Sequence, residues 1–91
     1  MSVRVRIPTQ LRTLCGGESE VTVEGTTVGE VLKALDAAHP GFQDRLFDDG
    51  GKVRRFVNVF VAEEDIRFLQ GVDTPVEAGQ TVSIVPAVAG G

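Results

Sequence analysis

Apolar and polar positions alternate from the start of the chain, with Val3, Val5 and Ile7 separated by Ser2, Arg4 and Arg6. A period of two is the pattern of a strand with one buried face, and Pro8 ends it. A loop containing Leu11, Leu14 and the Gly16-Gly17 pair is expected next. Val21 and Val23 then alternate with Glu20, Thr22 and Glu24, predicting a second strand that stops at Gly25 and forms an antiparallel hairpin with the first. At Thr27 the period changes. Thr27 and Glu30 have the spacing of a capping box, and behind them Val28, Val31, Leu32, Leu35 and Ala38 recur at helical steps. His39-Pro40-Gly41 stops that helix.

Phe42, Leu46 and Phe47 predict a short helical turn packed on the core, followed by the turn sequence DDGG at Asp48 to Gly51. In RFVNVFVA, Val57, Val59 and Val61 share one face while Phe56, Asn58 and Phe60 share the other. A strand partly apolar on both faces is either central or part of a docking surface. Ile66 to Leu69 is expected as a short edge strand before a turn region at Gly71 to Pro75. Ala78-Gly79 turns the chain into a last strand, Thr81 to Val85, and Pro86, without an N–H, closes the ladder. A hairpin joined by a helix to further strands must bury that helix on one face of a mixed sheet. This is an α+β arrangement of the ubiquitin-like β-grasp type, one main helix packed on a mixed sheet. The domain is read as residues 1–86, with 87–91 as a flexible diglycine tail.

Composition narrows what such a domain does. The chain has 91 residues, 42% hydrophobic and 24% charged, which is ordinary globular usage in one domain. Its net charge is −4, with no basic cluster longer than Arg54-Arg55, so nucleic acid is not an expected partner. The N-terminal residues lack an apolar leader, and Phe56 to Ala62 is too short to span a bilayer, so a cytoplasmic location off the membrane is expected. The single cysteine, Cys15, and the single histidine, His39, show no metal-ligand spacing, and no metal or cofactor is expected on this chain. Cys15 reads as a small buried hydrophobe and His39 as a cation at a helix C-terminus, neither with a catalytic role. Glu63, Glu64 and Asp65 read as a solvated turn.

The sequence PAVAGG, Pro86 to Gly91, carries the candidate chemistry. Glycine contributes no packing and keeps the most backbone freedom, so a Gly-Gly end reads as made for reach rather than folding, against the alternative of an ordinary frayed terminus. Ala87, Val88, Ala89, Gly90 and Gly91 form a slim segment suited to entering a partner's enclosed active site. Fully extended, five residues span about 16 to 18 Å. Phe60 and Val85 fall opposite the predicted core face. There they are either a partner-docking patch near the tail or covered by a loop such as Leu11 to Leu14.

RFVNVFV at Arg55 to Val61, EDIRF at Glu64 to Phe68, GVDTPV at Gly71 to Val76 and VSIVPAVAGG at Val82 to Gly91 together resemble the ubiquitin-like sulfur carriers of the MoaD/ThiS family. The resemblance runs over essentially the whole chain and is nearest to the carriers of an alternative cysteine biosynthesis route. It implies a protein co-substrate rather than an enzyme. An E1-like activating enzyme of MoeB/ThiF type, using ATP, would adenylate the Gly91 carboxylate, and sulfur would displace AMP to leave a thiocarboxylate. The implied acceptor is a pyridoxal-phosphate-dependent cysteine synthase, with a JAMM-type metallopeptidase releasing the product. The same tail suits delivery to a molybdenum cofactor, a thiazole or a specialised metabolite. A ubiquitin-like protein modifier and a non-covalent interaction module remain alternatives.

Overall fold

Alternation places the valines of the first two strands face to face. In the computed structural model, which describes residues 2–54 and 57–86, β1 (Ser2–Arg6) and β2 (Glu20–Glu24) pair antiparallel, Val3 opposite Val23 and Val5 opposite Val21. The expected loop between them is instead a 3-10 helix, Thr9–Cys15. Pro8, with φ −68°, sets its entry, and Leu11 and Cys15 are buried. The Cys15 thiol donates to the Glu18 carbonyl at 3.3 Å, as a buried structural cysteine should.

Helix α1 (Val28–Ala38) begins where the Thr27 hydroxyl accepts the Glu30 N–H at 3.2 Å. The reciprocal bond departs from a strict capping box. Glu30 Oε1 accepts from the N–H and the hydroxyl of Thr26, at 2.9 and 2.8 Å, one residue earlier than the pattern predicts. Residues 26–28 are laced to 74–76 by Val28 N–H to the Thr74 carbonyl and Val76 N–H to the Thr26 carbonyl, both at 3.0 Å. Those bonds fix the segment so that Thr26 N–H faces the carboxylate. The same N–H, and then the hydroxyl, lower the pKa of the Glu30 carboxyl from its ordinary value by bonding its charged form.

Val28, Val31, Leu32 and Leu35 are fully buried on the face of α1 that meets the sheet, each contributing roughly 1.5 to 3 kcal/mol by leaving water. Ala38, expected on that face, is exposed, because the last turn runs past the core before the chain bends at His39. Gly25 lets β2 pass close to the helix: a Cβ there would stand 2.9 Å from the Val31 nitrogen. Asp36 then joins α1 to α2 (Phe42–Leu46), its Oδ1 accepting from Gly41 N–H at 3.2 Å and Gln43 N–H at 2.8 Å. Phe42, Leu46 and Phe47 pack into the core as their spacing predicts.

Strand β3 (Val57–Val61) buries its three valines and leaves Asn58 and Phe60 half-exposed on the other face. Phe56, the first aromatic of the predicted strand, lies outside the described residues. Ala62 and Glu63, at φ 51° and 72°, make a two-residue hairpin turn into β4 (Glu64–Asp65). The acidic run is therefore split, with Glu63 in the turn and the next two residues forming the edge strand. Ile66 to Leu69 is not an edge strand. Asp65 caps a 3-10 helix, Ile66–Phe68, by accepting the Arg67 N–H at 2.9 Å, while Ile66 turns into the core.

The last strand, β5 (Thr81–Pro86), is the centre of the sheet, whose order is β2-β1-β5-β3-β4. It runs parallel to β1 and antiparallel to β3. One face of the sheet carries the core with α1, α2 and the Thr9–Cys15 helix; none of the described helices covers the other. This mixed sheet with a helix on one face is the β-grasp arrangement. Among the described residues, no helix is long and apolar enough to cross a membrane.

Candidate functional site

The end of β5 is where an unusual set of side chains converges. Val82 and Ile84 point into the core, so Ser83 and Val85 point out, and Val85 is 46% exposed. The register places Ser83 between Arg6 of β1 and Phe60 of β3, with Asp65 of β4 beyond Phe60. One row nearer the end of the strand, Val85 lies opposite Asn58. Phe60 and Val85 are therefore diagonal neighbours across the ladder, close enough for an aromatic ring to meet a valine.

The Leu11 to Leu14 segment does not cover this pair. Leu11 and Cys15 anchor their 3-10 helix in the core, and Leu14 lies against Gly41 at the head of α2, where a Cβ would meet its Cδ2 at 2.9 Å. On the outer face Phe60 is half-exposed and Val85 exposed. Beside it lies a cleft of about 550 Å³ between the ends of β1 and β5, walled by Arg6, Pro8, Thr9, Arg12, Ser83 and Val85. Arg12 is steadied by its Nε donating to the Ile7 carbonyl at 3.1 Å. The cleft sets Arg6 and Arg12 against one acid, Glu20, so it carries a net positive charge on a chain of net charge −4. The Arg4–Glu20 pair, at 3.9 Å with both side chains exposed, offsets little of that charge.

On the other flank, Arg67 reaches from the Ile66–Phe68 turn onto the sheet. Its Nη1 donates to Asn58 Oδ1 and its Nη2 to the Val57 carbonyl, each at 2.9 Å. Val57 is the register partner of Pro86, so this turn sits one strand away from the end of β5. Phe68, in the same turn, is 88% exposed and the adjoining Leu69 40%. A strand over Ile66 to Leu69 would turn Phe68 to the same side as Ile66, whereas the 3-10 turn buries Ile66 and exposes Phe68. The signal available in the sequence was Asp65, a helix-capping type two residues before Arg67.

The candidate tail residues Ala87, Val88, Ala89, Gly90 and Gly91 lie outside the described residues. Among those described, no group of three His, Cys, Asp or Glu side chains is placed to hold a metal ion. The face offers an apolar pair, Phe60 and Val85, with Arg6 across Ser83 on one side and Arg67 and Asp65 on the other.

A family model described as the ThiS family matches residues 5–91. The chain therefore belongs to the ThiS/MoaD family of ubiquitin-like sulfur carriers. It is 46% identical to the sulfur carrier protein CysO of Mycobacterium tuberculosis over the full length of both chains. In structure it matches a chain of the Amycolatopsis orientalis BexX/CysO complex with a TM-score of 0.92, at 46% identity over 98% of this chain and 99% of the other. It is also 40% identical to small archaeal modifier protein 3 of Haloferax volcanii, over 75% of this chain and 73% of that one.

Proposed function

We propose that this chain is a sulfur carrier of cysteine biosynthesis, with Gly91 as the terminal residue that bears the sulfur. The observation that carries this reading is the 46% identity to CysO across the whole of both chains, together with the sequence AVAGG that follows Pro86. A terminal carboxylate, with a reference pKa near 3.5, is an anion at neutral pH and a poor electrophile. Activation has to come first. An E1-like enzyme of MoeB/ThiF type joins the Gly91 carboxylate to AMP from ATP, releasing pyrophosphate. A hydrosulfide-equivalent donor then attacks the carbonyl carbon, the bond to the phosphate oxygen breaks, and AMP leaves with the electron pair. The Gly91 thiocarboxylate that remains is already a nucleophilic anion, because its acid is stronger than an ordinary thiol.

In the next step a cysteine synthase that uses pyridoxal phosphate would present a dehydrated serine. The thiocarboxylate sulfur would add to its β-carbon, the double-bond electron pair would take up a proton at the α-carbon, and release from the cofactor would free the amino group. Transfer of the Gly91 acyl group from sulfur to the adjacent nitrogen leaves cysteine amide-linked to Gly91, and a JAMM-type metallopeptidase hydrolyses that amide. Throughout, this chain needs no cofactor of its own; ATP and pyridoxal phosphate belong to its partners. The test is to mix the thiocarboxylate form with such a synthase and an activated serine, then weigh the intact protein. Gain of one cysteine residue on Gly91 is expected. Sulfur transfer to a different acceptor without that gain keeps the carrier and removes the cysteine route.

The outer face has a role in the same scheme. Phe60 and Val85 form the apolar centre on which an activating enzyme seats while it draws in the tail. Phe60→Arg is expected to leave the fold intact and weaken that binding by ~2 kcal/mol or more, as loss of a central apolar anchor does. Titration calorimetry with circular dichroism on the variant separates the outcomes: unfolding assigns Phe60 to the core, and unchanged affinity moves the interface elsewhere. The similarity to a small archaeal modifier protein favours one second reading, conjugation of Gly91 to lysines of other proteins. A ladder of heavier conjugates in cell extract is its signature.

A further inference from the structure

Phe68 is the most exposed of the large apolar side chains described, 88% open to solvent. It is held there by a turn fastened at both ends. Asp65 Oδ1 accepts the Arg67 N–H at 2.9 Å, and the Leu69 N–H closes on the Ile66 carbonyl at 3.0 Å. Thr74 Oγ1 then accepts the Gln70 N–H at 3.0 Å. Below, Ile66 is buried, and above, the Arg67 guanidinium bridges Asn58 and the Val57 carbonyl. The backbone beneath the ring is thus ordered before a partner arrives, so binding costs the rotamer freedom of Phe68 but little ordering of the turn.

The position of the ring selects its occupant. Val57 pairs with Pro86, so the Ile66–Phe68 turn stands about 10 Å from the end of β5, two strand spacings across the sheet. Gly91 lies five residues beyond Pro86, a reach of about 16 to 18 Å. A partner whose active site takes Gly91 must therefore bring its rim against the surface surrounding Pro86. That surface includes the turn as well as Phe60 and Val85. We propose that Phe68, flanked by Leu69, is a second docking anchor for the activating enzyme, entering an apolar pocket on the rim of its tail channel. The proposal rests on Gly91 being the residue that enzyme activates, and it adds an edge contact to the face already described.

The experiment measures adenylation of the full chain by pyrophosphate exchange for the wild type, Phe68→Ala, Phe68→Leu and, as a control on the helix side, Lys33→Ala. Phe68→Ala is expected to raise the KM for the carrier about tenfold or more. Its kcat and melting temperature should be unchanged, Phe68→Leu should fall between, and Lys33→Ala should match the wild type. An unchanged KM for Phe68→Ala overturns the proposal. So does an effect seen only with the sulfur-accepting enzyme, or a wild-type dimer in gel filtration that Phe68→Ala dissolves without altering KM. A wild-type chain that is not adenylated at all refutes the reading of Gly91 and the anchor with it, and is told apart from the other failures by that absence.

Discussion

Leu35→Ala is expected to destabilise the domain by about 2 to 5 kcal/mol. Leu35 has no solvent exposure and lies in the middle of the apolar stripe of α1, in one cluster with Val31, Leu32 and Phe42. Both elements around it are fixed, α1 by the bonds of residues 26–28 to 74–76 and α2 by Asp36. The cavity therefore cannot collapse easily, and the cost belongs toward the upper part of that range. In a domain of this size it is a large fraction of the total stability. Urea unfolding followed by circular dichroism measures it, and activation assays on the folded fraction should show normal tail chemistry. A loss below about 1 kcal/mol would mean that α1 repacks, against the close fit described.

Removing Gly90 and Gly91 is expected to have the opposite profile. The described core reaches Ile84 and the described ladder reaches the Val57–Pro86 pair, and a glycine has no side chain to bury. The melting temperature should stay within about a degree of the wild type, since surface changes away from packed features are usually within about 0.5 kcal/mol. Adenylation should fall to background, because the shortened tail ends at Ala89, bearing a side chain and lacking the reach of the last two residues. Differential scanning calorimetry and pyrophosphate exchange read the two effects on the same sample. A large drop in melting temperature would mean that the tail packs on the domain.

Much of this architecture is legible in the residues themselves. Val3 and Val5, the three valines of β3, and Val82 with Ile84 declare their strands by alternation. Thr27 and His39-Pro40-Gly41 bound the helix because caps and breakers act locally. What was missed depends on contacts that no short window contains. The Thr9–Cys15 helix has the low periodic content of a loop, and its shape comes from Leu11 and Cys15 reaching the core. Glu30 bonds Thr26 because residues 74–76 hold that segment, almost fifty positions away. The exposure of Phe68 follows from Asp65 capping a turn where β-propensity favours a strand. Of the candidate site, parity alone puts Phe60 and Val85 on the face away from the core, whereas the chemistry proposed for Gly91 comes only through the resemblance of the whole chain to a family of carriers.

The central claim, that Gly91 carries sulfur, is tested most directly by intact-protein mass spectrometry after incubation with an activating enzyme, ATP and a sulfur donor. The expected result is the mass increase of one oxygen replaced by sulfur, located by fragmentation to Gly91 and absent when ATP is withheld. An unchanged mass, obtained with an activating enzyme that loads another carrier in the same mixture, would contradict it.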